Sequence, residues 1–192
     1  MAKTILYLHG FNSTGASTKA EDMRQRALKF GWTVLSPTID YKNFDNIPKQ
    51  LKSLMLTKRP DLVVGTSMGG FLTMYATWKY GVKGIAINPV TEPQETLKKM
   101  VGENKNFVTK AKFIFTEQDR LKYAQFVEDE FCHIDVDDRT TFLLALDDEL
   151  LGDHHYLESK YPNCHNFFYY DGVQHRFGSV KTIMNHITRI LQ

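Results

Sequence analysis

Short apolar runs alternate with longer amphipathic stretches along most of the chain. The apolar runs predict buried strands at residues 3–8, 33–36, 61–64, 83–87, 141–146 and 165–170. Apolar positions about 3.6 residues apart predict helices at residues 18–30, 47–58, 71–80 and 179–191. Such alternation is typical of a mostly parallel sheet covered by helices on both faces. We therefore predict a single α/β domain over residues 1–192.

Residues 92–138 break this pattern. Within them, residues 94–101 and 120–131 favour helices, whereas residues 113–116 fit either a strand or part of a helix. We find no alternation of strands and helices there and interpret the segment as a small helical insertion over the active-site edge of the sheet. It is either a lid or substrate wall, or structural packing alone.

The composition excludes several classes of protein. Of the 192 residues, 42% are hydrophobic and 24% are charged, and the net charge is +2 without a long basic run, which argues against a nucleic-acid partner. Cys132 and Cys164 form no C-x-x-C pair, which argues against a zinc site or disulfide framework and fits a reducing compartment. No apolar run approaches the ~20 residues that span a bilayer. We expect a soluble cytoplasmic protein with no membrane partner, cofactor or metal.

The pentapeptide Gly65-Thr66-Ser67-Met68-Gly69 lies between a predicted strand and a predicted helix. This is the G-x-S-x-G pattern of a nucleophile elbow, in which a sharp turn projects the serine hydroxyl clear of the fold. Such a turn strains the serine backbone and crowds its neighbours, so glycine is needed on both sides. The pattern predicts Ser67 as a nucleophile and the amide of Met68 as an oxyanion donor.

A serine nucleophile needs a base, and the base needs an acid to orient it. On this fold the acid and then the histidine follow the serine in the chain. His175 is the histidine that lies between the last predicted strand and the last predicted helix, which favours it as the base. Asp147 and Asp148 both follow the strand at 141–146, and the residues themselves leave the choice of acid open. Either aspartate could instead cap the next turn.

The loop after the first strand supplies the second expected oxyanion donor. Gly10 allows close backbone approach, so the amide of Phe11 is the best candidate. We interpret His9 as a structural group that orients this loop. The pairs His154-His155 and Cys132-His133 are rejected as metal or thiol sites, because adjacent side chains on a helix diverge and adjacency in sequence is not spatial pairing.

These motifs together resemble a known family, the YqiA/YcfP-type small bacterial esterases of the α/β-hydrolase fold. The motifs that carry the resemblance are His9-Gly10-Phe11-Asn12-Ser13, Gly65-Thr66-Ser67-Met68-Gly69-Gly70, Asn88-Pro89, Asp148-Glu149-Leu150 and Gln174-His175. The resemblance implies a carboxylesterase acting on small acyl esters or thioesters, with Ser67 as nucleophile and His175 as base. It also implies Asp148 rather than Asp147 as the acid.

Two departures from the family pattern concern the surroundings of these residues. The loop before His175 reads Asp171-Gly172-Val173-Gln174 and is less glycine-rich, and Asp147 replaces a small residue. Two alternatives to an esterase stay open: a thioesterase for acyl carriers, and a non-catalytic binding protein on the same fold.

Overall fold

Six parallel strands form the central sheet of the computed structural model, which describes residues 2–192. The strands within the described residues are β1 (Thr4–Leu8), β2 (Thr33–Leu35), β3 (Leu62–Thr66), β4 (Lys83–Ile87), β5 (Gly102–Lys105), β6 (Lys112–Phe115), β7 (Thr140–Ala145) and β8 (Phe167–Tyr170). The helices are α1 (Thr18–Leu28), α2 (Ile47–Lys58), α3 (Met68–Tyr80), α4 (Pro93–Thr96), α5 (Glu117–Asp129), α6 (Tyr156–Lys160) and α7 (Val180–Leu191). The central sheet has the order β2-β1-β3-β4-β7-β8.

Alternate residues of the central strands feed two separate hydrophobic cores, one on each face of the sheet. Leu6 and Val63 belong to one core, whereas Ile5 and Leu62 belong to the other. Helices α2, α3 and α5 contribute to the first core, and α1 and α7 to the second. Burial on both faces explains why the strands read as continuous apolar runs, and the predicted α/β fold is confirmed.

The insertion predicted as helical at residues 92–138 also contains strands. The segment contains α4 and α5, but β5 and β6 between them pair as a two-stranded antiparallel sheet. Residues 113–116, which fitted either state, are largely in strand β6, and α5 begins at a capping box formed by Thr116 and Asp119. Alternation of strand and helix therefore continues through this segment.

The β5–β6 hairpin packs on the loop that follows β1. The rings of Phe113 and Phe115 lie 6.0 Å and 5.3 Å from the ring of Phe11, measured between centroids. The amide of Phe107 donates to the carbonyl of Asn12 at 2.7 Å. Because this loop lies at the carboxyl end of β1, the hairpin borders the edge of the sheet at which sites form in such folds.

Candidate active site

Ser67 lies in a strained turn between β3 and α3. Its backbone has φ 58° and ψ −117°, a conformation that residues other than glycine rarely adopt. A Cβ on Gly65 would lie 2.0 Å from the carbonyl oxygen of Gly69, and one on Gly69 would lie 2.0 Å from that of Leu8. Both glycines are therefore required by close backbone contact, as the elbow pattern predicts.

Residues 87–90, at the end of β4, bond to the backbones of both Ser67 and His175. The amide of Ser67 donates to the carbonyl of Ile87 at 2.9 Å, and the amide of Val90 donates to the carbonyl of Ser67 at 3.2 Å. Between these two residues, the buried amide group of Asn88 donates to the carbonyl of His175 at 2.9 Å. Three hydrogen bonds thus join the backbones of the two predicted catalytic residues to one short segment of the chain.

Asn88 was not predicted as part of the site. Its backbone has φ 41°, and its Oδ1 accepts from the amide of Ala145 at 2.7 Å, at the end of β7. Asn88 thus links the end of β4 to the end of β7 and to the loop after β8. These contacts form only when the sheet has assembled. The Asn88-Pro89 motif is its signal in the sequence, although that motif alone indicates only a turn.

His175 and Asp148 form a close buried pair. Nδ1 of His175 lies 3.0 Å from Oδ1 and 2.8 Å from Oδ2 of Asp148, whose side chain is wholly buried. Burial alone raises the pKa of this carboxyl, but the hydrogen bonds from His154, His175 and the amide of Leu151 outweigh it and hold the pKa well below its usual value. Asp148 is therefore a carboxylate, and Nδ1 of His175 donates to it.

Asp148 also caps a turn, which is the alternative role that the sequence analysis weighed for it. Its Oδ1 accepts from the amides of Leu150 at 2.9 Å and Leu151 at 2.8 Å. Asp147 contacts a different group, because its Oδ2 accepts from the amide of Gly172 at 2.9 Å. Of the two aspartates, Asp148 is thus the one bonded to the imidazole of His175.

A second histidine, which the sequence analysis rejected, contacts the same carboxylate. Nε2 of His154 lies 2.8 Å from Oδ2 of Asp148, and its side chain is 1% exposed. His155 diverges from it, because its Nδ1 bonds to the exposed Asp153 instead. The argument that adjacent histidines point apart holds, but it concealed the contact that one of them makes with Asp148.

The loop carrying Phe11 is fixed by His9. Nδ1 of His9 donates to the carbonyl of Gly10 at 2.8 Å, and Nε2 accepts from the amide of Ile39 at 2.9 Å. Burial lowers the pKa of His9, which favours the neutral ring that these two bonds require. The structural role predicted for His9 is confirmed.

The two amides predicted to bind the oxyanion are those of Phe11 and Met68. Met68 is the first residue of α3, so its amide has no acceptor within the helix. Within residues 2–192, the amide of Phe11 makes no hydrogen bond. A Cβ on the preceding Gly10 would lie 3.9 Å from Oγ of Ser67, so this loop passes directly over the serine. The structure thus brings the loop that carries Phe11 close to the serine, and the oxyanion role of the Phe11 and Met68 amides stays a prediction.

A cavity of about 330 Å³ begins at Phe11 and extends beneath the hairpin. Tyr41 and Phe113 line it together with polar residues of the two flanking loops. The hydroxyl of the buried Tyr41 donates to the carbonyl of His9, and the hydroxyl of Tyr123 donates to the carbonyl of Tyr41. These bonds hold the cavity wall rigidly against the loop that carries Phe11.

Two cations lie beside His175. Lys19, at the start of α1, donates to the carbonyl of Arg176, and the guanidinium of Arg176 lies 5.3 Å from the ring centre of Phe107. Burial and the charge of Arg176 lower the pKa of Lys19 to about 8. Within residues 2–192, neither cation has a carboxylate within ion-pair distance, so this rim of the site carries two cations that no ion pair compensates.

Two further classes of site find no support in the part of the chain described. Residues 2–192 contain no group of three or more His, Cys, Asp or Glu side chains arranged to hold a metal ion. In the same range, every helix is too short or too polar to cross a membrane.

Solved structures of α/β hydrolases share this fold. Est1E from Butyrivibrio proteoclasticus has a TM-score of 0.72 at 13% identity, covering 99% of this chain and 87% of its own. The α/β hydrolase domain-containing protein 10 from mouse has a TM-score of 0.64 at 16% identity, covering 97% and 90%. The esterase domain of a Rhodothermus marinus protein has a TM-score of 0.62 at 18% identity, covering 97% and 86%. At such low identities the likeness establishes the α/β-hydrolase fold and nothing finer.

Sequence relatives identify the family. A UPF0227 protein from Shewanella woodyi is 30% identical over 102 residues, which are 48% of this chain. The matched stretch spans about half (54%) of that relative. The model of the uncharacterised protein family UPF0227 matches residues 4–192. Because that match extends over almost the whole sequence, the chain belongs to UPF0227, and the YqiA-like resemblance of its motifs is confirmed.

Proposed function

We propose that this protein is a serine esterase that hydrolyses small acyl esters through Ser67, His175 and Asp148. The observation that carries the proposal is the buried pair of His175 and Asp148, with the backbone of His175 tied to the segment that also binds the strained Ser67. Nδ1 of His175 is occupied by the carboxylate, which leaves Nε2 as the nitrogen available to accept a proton.

The reaction proceeds in two halves. Nε2 of His175 takes the proton from Oγ of Ser67 as Oγ attacks the ester carbonyl, and the amides of Phe11 and Met68 donate to the resulting oxyanion. Collapse of this intermediate breaks the bond to the alcohol, which leaves with the proton from His175. Water then attacks the acyl-enzyme with His175 again as base, which releases the acid and restores Ser67.

Asp148 keeps its charge throughout this cycle. Its lowered pKa means that it stays ionised at neutral pH, where it fixes the tautomer of His175 and stabilises the imidazolium that forms in each half. Phe11, one of the two proposed oxyanion donors, lines the cavity beside it, so this cavity suits a part of the substrate attached to the carbonyl carbon.

Fluorophosphonate labelling followed by peptide mass spectrometry tests the proposal. We expect the folded protein to be modified at Ser67 and Ser67→Ala to lose both labelling and ester turnover while keeping its melting temperature. Ser53→Ala, at an exposed serine of α2, is the matched control and keeps both activities. Folded wild-type protein that neither takes the label nor turns over esters favours a binding protein on the same fold.

A thioester substrate is the second candidate, and the uncompensated cations Lys19 and Arg176 favour it. Acyl carriers hold their thioesters on phosphate-bearing groups, and His175 must protonate the leaving group, which places that group near this rim. If thioesters are the substrates, a phosphorylated thioester should exceed its unphosphorylated counterpart in kcat/KM, and Lys19→Met should remove the difference.

A further inference from the structure

His154 shares one carboxylate oxygen with His175. Oδ2 of Asp148 lies 2.8 Å from Nε2 of His154 and 2.8 Å from Nδ1 of His175. All three side chains are buried, with exposed fractions of 9% or less. A contact that ties a second imidazole to the proposed catalytic acid requires an account beyond the three residues of the mechanism.

The surroundings of His154 define which proton it carries. A carboxylate only accepts hydrogen bonds, so Nε2 of His154 is the donor to Asp148. Nδ1 of His154 is buried and has no hydrogen-bond partner within residues 2–192. A proton on Nδ1 would be buried without an acceptor, which is costly. The site therefore accommodates His154 as a neutral ring protonated on Nε2.

We propose that His154 is a positioning residue for the catalytic acid, which holds Oδ2 of Asp148 in place and draws part of its negative charge away from His175. This inference rests on the proposed function. A neutral donor disperses the carboxylate charge without adding a cation to the site. Asp148 can then orient His175 firmly while attracting the proton of His175 less strongly than a carboxylate without this donor.

The other charged groups around the pair make their bonds to residues other than His154. Glu149 accepts from the amide of His175 at 2.9 Å. Arg176 follows His175, and Lys19 donates to the carbonyl of Arg176. Tyr156, whose hydroxyl lies 2.8 Å from the hydroxyl of Thr91, is a further titratable group that senses the charge of Asp148. A change in pH profile on replacing His154 therefore reports on its own bond to Asp148.

The test compares His154→Leu with His154→Gln. Leucine removes the donor, whereas the side-chain amide of glutamine can place an N–H near the position of Nε2. For His154→Leu we expect the acid-side midpoint of the kcat/KM profile to move upward by about 0.5–1 pH unit, with kcat/KM about tenfold lower at neutral pH. His154→Gln should stay near the wild-type midpoint.

Two controls separate positioning from simple loss of structure. Rates are divided by the number of fluorophosphonate-reactive sites, so that unfolded protein does not contribute. His155→Leu removes the neighbouring exposed histidine, which bonds to Asp153, and should leave the midpoint unchanged. NMR of histidine-labelled protein follows the titration of His175 directly and needs no turnover.

Clear outcomes would overturn the inference. One is a His154→Leu variant whose active fraction keeps the wild-type midpoint in both the rate profile and the NMR titration. Another is a His154→Gln variant that shifts as far as His154→Leu, since the shift would then not depend on the donated bond. Wild-type protein without turnover or labelling contradicts the proposed function instead, and the NMR comparison still decides the role of His154.

Discussion

At the scale of single residues, the backbone contacts of the elbow glycines give the sharpest prediction for stability. A Cβ on Gly69 would lie 2.0 Å from the carbonyl oxygen of Leu8. Because that oxygen belongs to the backbone of β1, it cannot move aside as the end of a flexible side chain could. We expect Gly69→Ala to lower the free energy of unfolding by roughly 3–5 kcal/mol or to prevent folding. Urea unfolding followed by circular dichroism measures this.

The control for Gly69 is a glycine without neighbours. A Cβ on Gly178 would meet nothing within 4 Å, so Gly178→Ala should change the free energy of unfolding by less than about 0.5 kcal/mol. Equal stability of the two alanine variants would mean that the elbow tolerates a shift of β1 away from α3.

Asp148 links activity to acid stability. Its pKa is lower in the folded protein than the unfolded value of about 3.9, so its stabilising contribution is complete above that value and is lost as the pH falls below it. We expect Asp148→Asn to reduce kcat by about 10⁴-fold, because the oriented tautomer of His175 is lost. Wild type should also be the more stable at pH 7, by a margin that narrows below about pH 5.

Rate assays and denaturant titrations at pH 7 and at acid pH measure both effects. Asp147→Asn is the matched control, since Asp147 is exposed and bonds only to the amide of Gly172 within the described chain. A stability difference between wild type and Asp148→Asn that widens as the pH falls would mean that folding raises the pKa of Asp148, with burial outweighing its hydrogen bonds.

The sequence predicted these residues unequally, for physical reasons. Ser67 was found because a strained turn requires glycines at fixed spacing, which local sequence records. Asp148 needed the family resemblance, because Asp147 satisfies the same local rule. Asn88 was missed because its partners, Ala145 and His175, are distant in the chain, and only the assembled sheet brings them within bonding distance. His154 lies only six residues after Asp148, and it was missed because it was weighed only as a metal ligand beside His155.

At the scale of elements, the β5–β6 hairpin shows where local pattern is insufficient. Strand β5 has the sequence Gly-Glu-Asn-Lys, which has low strand propensity and no buried residue. Its partner β6 holds Phe113 and Phe115 against Phe11, and the side chain of Asn106 donates to the carbonyl of Ser13 at 3.0 Å. Tertiary contacts to the loop after β1 therefore hold β5 in place, and its own residues give no signal.

The hairpin's two faces give a prediction about substrate binding. Phe113 lines the cavity beside Phe11, whereas Ile114 points outward and is 57% exposed. If this cavity holds part of the substrate, Phe113→Ala should raise KM about tenfold, because apolar contact with the substrate is lost. Its kcat should change little, since Phe115, His9 and Tyr41 still hold the loop that carries Phe11.

Steady-state kinetics on a short series of esters measures this effect, with Ile114→Ala as the control from the same strand. Ile114→Ala should keep the wild-type KM. Equal KM values for Phe113→Ala and wild type across the series would place the substrate elsewhere and leave the hairpin with a structural role.

At the scale of the whole molecule, the sheet is shared by two cores that cannot be separated. Leu6 and Val63 face one core while Ile5 and Leu62, their neighbours in the same strands, face the other. Residues 92–138 also join the first core, because Phe115 of β6 and Tyr123 of α5 are fully buried there. Loss of either core would expose to water the residues of every central strand that face that core.

This arrangement predicts that the chain unfolds in one transition. Trp32 lies in the second core and Trp78 packs against the first, so Trp78→Phe and Trp32→Phe leave one tryptophan reporting on each face. Because each central strand contributes to both cores, the two fluorescence midpoints in urea, each compared with circular dichroism of the same variant, should coincide. If the fluorescence transition of Trp78 precedes the loss of the circular dichroism signal, the face covered by α2, α3 and α5, with residues 92–138, opens as a separate unit.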